Sequence, residues 1–147
     1  MRVIVFIKAN AESEAGVMPS EKLISAMMKF NEELVKAGVL LGAEGLYPSS
    51  KGVRVRFADD KTTVIDGPFA ETKELVAGFW LWQVKSIDEA IAWVKRIPAD
   101  PDGSVKEAEV EIRPIFEAED FSAEVFTPEL KEQEKQLRAE VDKRQKA

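Results

Sequence analysis

The run Asp66-Gly67-Pro68-Phe69-Ala70-Glu71-Thr72-Lys73-Glu74 sets a Gly-Pro turn among side chains that carry charge. Asp66 offers an anion, a ligand contact or a general base, and Lys73 a cation that could hold a substrate carboxylate. The same run has a structural use. An Asp side chain accepts hydrogen bonds from backbone N–H groups two residues on, Gly admits positive φ, and Pro presets a turn. Phe69 reads as a hydrophobic plug tying the loop to the core. Glu71 reads as a surface charge or a cap for a short helical turn. A second carboxylate, Glu44, lies between Gly42 and Gly45 in an apolar stretch where partial burial is expected. A half-buried carboxylate needs partners, and Arg54, Arg56 and Arg113 are available, either to fix a strand or to hold a small acid. Tyr47 and Trp80 complete the candidate ligand contacts. Phe79, Trp80 and Trp82 alternate, so both Trp share one face, and core or dimer interface is their first reading, ahead of a ligand-stacking wall.

The chain contains no His and no Cys. Disulfides, zinc-thiolate sites and thiol nucleophiles are therefore excluded, as are imidazole-ligated metals and Ser-His-Asp or Cys-His mechanisms. Acid-base work falls to carboxylates, Lys or the single tyrosine, Tyr47. Metal binding would need oxygen ligands alone, and the Asp59-Asp60 turn and the Asp100-Pro101-Asp102-Gly103 loop are too short for an EF-hand loop. No metal and no cofactor is expected. The net charge of -6 repels phosphate backbones and argues against nucleic acid. No run approaches the ~18 apolar residues of a membrane span, and the N-terminus lacks a signal-peptide pattern, so a cytoplasmic protein is expected.

These residues need elements to position them. With 147 residues and 45% hydrophobic composition, one domain with an appendage fits. Residues 2–8 are β-branched and apolar, as in a central strand buried on both faces or nearly so. Residues 9–19 form a polar loop long enough to cover a pocket or to be mobile. Ser20 caps a helix over 20–37 that Gly38 ends. A glycine-bearing, bulged strand follows at 39–48. Residues 53–57 and 62–65 make a hairpin with one charged face. Residues 76–84 are a strongly apolar strand. Ser86-Ile87-Asp88-Glu89 is a capping box that opens a helix ended by Pro98. Residues 109–115 alternate as the last strand. With the hairpin as an insertion, the order is that of a ferredoxin-like βαββαβ α+β sandwich. Two helices cover one sheet face, so the other, carrying part of the load of Phe6, Phe79 and Leu81, calls for a second copy packed sheet to sheet. Residues 117–147 form an acidic, charged helical extension, either solvated or docked on the partner through Phe121 and Phe126.

Gly42-Ala43-Glu44-Gly45-Leu46-Tyr47-Pro48-Ser49, the hairpin, the nine-residue run, Gly78-Phe79-Trp80 and Val110-Glu111-Ile112-Arg113-Pro114-Ile115 resemble the YCII-related family, in its DGPF-domain subgroup, over residues 1–116. The resemblance implies a dimeric α+β barrel with two sheets face to face. The wider family is similar to isomerases and lyases of the muconolactone-isomerase type and has a His-Asp site. Asp66 matches the subgroup's aspartate, whereas the histidine has no counterpart in this sequence. Some DGPF proteins are encoded beside, or fused to, extracytoplasmic-function sigma factors, which implies a regulatory or accessory role. The expectation is a non-catalytic, small-ligand-binding or regulatory homodimer. The alternative is a cofactor-independent lyase or isomerase of a small organic acid, with Asp66 or Glu44 as base and Arg113 or Lys73 holding the developing charge.

Overall fold

The structure is a computed structural model that describes residues 1–101, 103, 105 and 107–146. Asp102 of the Asp-rich loop lies outside the described residues. The chain divides into two units, Met1–Pro114 and Ile115–Ala147.

In the first unit, strand β1 (Arg2–Lys8) is followed by a short helix α1 (Ala11–Glu14), helix α2 (Glu21–Lys36) and strand β2 (Leu40–Gly45). The hairpin β3 (Val53–Ala58) and β4 (Lys61–Asp66) comes next, then β5 (Val76–Gln83), α3 (Ile87–Val94) and β6 (Val110–Pro114). Four strands form one antiparallel sheet in the order β2-β5-β1-β6. That order is the ferredoxin-like one, with β3 and β4 standing apart as their own two-stranded sheet. The fold is therefore α+β, as the element order predicts.

Local chemistry explains the helices. Ser20 Oγ accepts from the N–H of Leu23 at 3.1 Å and starts α2, and Gly38, at φ 73°, ends it. Ser86 Oγ accepts from the N–H of Glu89 at 3.2 Å. The return arm of the expected capping box goes elsewhere, since Glu89 accepts from the N–H of Lys85 at 2.7 Å.

Alternation along the strands divides the sheet into two faces. Val3, Val5, Trp80 and Trp82 point to one face and pack with Phe30 and Leu34 of α2 and Ala90 of α3. The Phe30 ring meets Trp80 edge-on at 5.8 Å, a favoured arrangement for aromatic pairs. On the other face the register sets Ile4 opposite Leu81 and Phe6 opposite Phe79. These four are half-buried in the protomer. Here β1 differs from the expectation of near-complete burial on both sides.

Two further differences concern short-range structure. The polar loop over 9–19 contains α1, which Asn10 and Ser13 fix reciprocally: Asn10 Oδ1 accepts from the N–H of Ser13 at 2.8 Å, and Ser13 Oγ accepts from the N–H of Asn10 at 2.9 Å. The hairpin turns through Asp59 and Asp60, both at positive φ (51° and 59°), which matches the twist of its strands. Its residues are exposed on both faces, not only on the charged one.

In the second unit, Phe121 lies 5.1 Å from Phe116 and 5.8 Å from Phe126 between ring centres. Helix α4 (Pro128–Lys146) has no buried residue among those described. Intrahelical pairs such as Arg138–Glu134 at 2.6 Å decorate it, and Leu137 and Val141 remain exposed. No helix among the described residues is long and apolar enough to cross a membrane.

Candidate functional site

Three segments far apart in sequence meet at Ser49, which opens a single 3₁₀ turn (Ser49–Lys51) between β2 and β3. The carboxylate of Glu14, at the end of α1, takes both of its donors. The backbone N–H of Ser49 donates to Glu14 Oε1 at 3.0 Å, and its hydroxyl donates to Oε2 at 2.5 Å. Ser49 Oγ in turn accepts from the N–H of Phe69 at 3.1 Å. The N–H of Gly67 donates to the carbonyl of Gly52 at 3.0 Å. A methyl group at Gly67 would lie 1.7 Å from the Ser49 carbonyl oxygen. The two loops therefore pack main chain on main chain, and Gly67 is required by that approach. Its φ is not positive, unlike the turn expected there. The Gly67-Pro68 peptide is cis.

Asp66 is the last residue of β4, immediately before this packed glycine. Its carboxylate is exposed and makes no hydrogen bond or ion pair among the described residues. The self-capping role expected for it is not observed: the residue two positions on is Pro68, which has no N–H, and Ser49 takes the N–H of Phe69. Glu71 occupies the N-cap of the 3₁₀ turn Thr72–Glu74, but its side chain forms no capping bond. Phe69 does not plug the core. Its half-buried ring carries the guanidinium of Arg54 at 3.8 Å, so the loop is fastened to the hairpin. Tyr47 is exposed, with Lys51 Nζ 4.3 Å from its ring centre. Lys73 is exposed in the same loop as Asp66.

The other candidates stand apart from this corner. Glu44 is exposed, not half-buried, because β2 is an edge strand. Glu44 and Arg113 lie on opposite edges of the sheet, three strand spacings or roughly 14 Å apart, so they do not pair within the protomer. Arg113 is 3.4 Å from Glu111 instead. Trp80 lies in the core, 3% exposed, and donates its indole N–H to Asn31 Oδ1 at 2.9 Å. It has no surface to give a ligand. No group of ionisable side chains suited to a metal occurs among the described residues.

Sequence reasoning missed Glu14 and Ser49. Their types, a carboxylate in a polar loop and a serine after Tyr47-Pro48, carried a signal only in combination, and 35 positions separate them.

Comparison with known proteins adds three findings. The family model for the YCII-related domain matches residues 1–117. A protein of Rhizobium meliloti (strain 1021), described only as uncharacterised, is 30% identical over 95 residues, 65% of this chain and 74% of its own. The solved 5-chloro-2-hydroxyhydroquinone dehydrochlorinase of Burkholderia phenoliruptrix AC1100, in complex with 2,5-dihydroxybenzoquinone, is 18% identical with a TM-score of 0.42. That match covers 81% of this chain and 98% of the dehydrochlorinase.

Proposed function

The chain belongs to the YCII-related family, and from that premise we propose that it is a DGPF-type homodimeric module of the cytoplasm that binds a small organic acid and regulates or assists another protein without turning the acid over. The observation that carries this reading is the state of Asp66. Its backbone is held where Gly67 packs on the Ser49 turn, while its carboxylate stays unbonded among the described residues. A fixed acceptor with free lone pairs suits a hydroxyl or amine of a ligand, and Lys73 supplies a cation in the same loop for the ligand's carboxylate. Proton abstraction near neutral pH favours an enclosed carboxylate, whereas Asp66 and Glu44 both stand in water. With no histidine in the chain, binding is the better-supported use.

The homodimer rests on the open sheet face. Ile4, Phe6, Phe79 and Leu81 form an apolar centre that neither α2 nor α3 covers, and a second copy would shield it. Sedimentation at micromolar concentration should give a dimer, and a monomer would remove this part of the reading.

The binding site is tested by a thermal-shift screen of small hydroxy and keto acids against the full chain. A hit should stabilise the wild type and lose most of its effect on Asp66→Asn. A ligand that stabilises both alike would exclude Asp66. Turnover of a hit, abolished by Asp66→Asn or Glu44→Gln, would instead favour a lyase or isomerase.

A further inference from the structure

Glu14 and Ser49 form a contact with the chemistry of a ligand complex. Two convergent donors on one residue, a backbone N–H and a hydroxyl, meet the two oxygens of a single carboxylate at 3.0 and 2.5 Å. The N–H of Phe69 donates to the hydroxyl oxygen at 3.1 Å and polarises it toward the carboxylate. The Ser49 turn is braced from behind by the Gly67 approach, so its donors keep their geometry when the acceptor changes. The carboxylate, by contrast, is mounted on a light support. Helix α1 has four residues and no buried side chain, and is held by its own Asn10–Ser13 box. Beyond it, Val17 and Met18 are 59% and 81% exposed. Ser49 and Glu14 are both half-buried and so within reach of a solute.

We infer that the Ser49 turn is a carboxylate-binding site that the chain fills with its own Glu14, and that a small organic acid binds there by displacing that side chain. The inference rests on the small-acid reading above and deepens it by moving the ligand's carboxylate from Lys73 to the Ser49 donors. Displacement of Glu14 sets α1 free of its long-range anchor. The strap over residues 10–19 thereby becomes the signal by which binding is read.

The test is chemical rescue in the full-length chain. Glu14→Ala should melt about 4 °C or more below wild type. Sodium acetate or formate at roughly tenfold above its Kd should recover at least half of that loss by mass action, and sodium chloride of equal ionic strength should not. Glu14→Ala combined with Ser49→Ala should show no recovery. Equal effects of acetate and chloride on Glu14→Ala, or acetate recovery that persists in the double variant, would overturn the inference. Should Glu14→Ala fail to fold, amide exchange on the wild type decides: acid binding should speed exchange at Glu14, Ala15 and Val17, and unchanged exchange across a stabilising titration overturns the inference. An acid that stabilises wild type through Asp66 but does not rescue Glu14→Ala overturns this inference alone. Rescue of Glu14→Ala with no acid acting through Asp66 supports it and removes the Asp66 assignment.

Discussion

The helix-covered face of the sheet and the corner at Ser49 belong to one unit yet are held by different forces. On the sheet face, Val3, Val5 and Trp82 are fully buried and Trp80 nearly so, and the stabilisation scales with apolar area removed from water. At the corner the residues are half-buried or exposed, and the fastening is a short series of hydrogen bonds, two of them to a charged acceptor. Burial itself has no direction, and the core is held by dense packing. The corner depends on direction, and each donor there has a single acceptor. A polar ligand can therefore compete for the bonds of the corner, whereas it has nothing to exchange with the core.

Four substitutions probe that contrast. Trp82→Ala should cost the most, about 3–5 kcal/mol, read by urea unfolding followed by far-UV circular dichroism. A loss under ~1 kcal/mol would mean the core is not where stability resides. Gly67→Ala should cost about 1–3 kcal/mol through overpacking, because its new methyl group meets a main-chain oxygen. It should also abolish any ligand-induced thermal shift, whereas Trp82→Ala should leave that shift in place wherever the variant remains folded. Ser49→Ala should cost ~1–3 kcal/mol by leaving the Phe69 N–H and one Glu14 oxygen unpartnered. A loss as large as that of Trp82→Ala would erase the distinction between the regions. Asp66→Asn should change stability by less than ~0.5 kcal/mol and still remove the ligand response, since the side chain supports nothing in the protomer. A marked loss of stability would reveal a structural role for it.

The order of elements and helices α2 and α3 were legible because caps and periodicity are local. Ser20 and Gly38 bound α2 by their own chemistry, and the alternation of Phe79, Trp80, Leu81 and Trp82 fixes which face each takes. The corner was legible only in part. The nine-residue run marked the place, and Asp66 within it, but the polar partner of that loop is a serine 20 positions upstream of Phe69 and a glutamate 35 positions before that. Polar pairs at such separations leave no repeating pattern. Helix α1 escaped notice for a related reason: it buries nothing, so no apolar period announces it. Glu44 was misjudged because its apolar neighbours suggested burial, whereas burial depends on the position of β2 in the sheet, which the β2 sequence does not encode. Arg113 was misjudged as its partner for the same reason, since strand order decides which edge a residue occupies.

The placement of the indoles has a practical consequence. All three tryptophans, Trp80, Trp82 and Trp93, belong to or pack against the core, and the single tyrosine is at the surface. The indole N–H of Trp82 has no hydrogen-bond partner among the described residues, so its emission should be blue-shifted relative to that of Trp80. Intrinsic fluorescence therefore reports on the helix-to-sheet interior and is silent about the hairpin, the strap and α4. An acid that leaves the emission spectrum unchanged while altering the strap will have acted at the periphery, with the interior undisturbed.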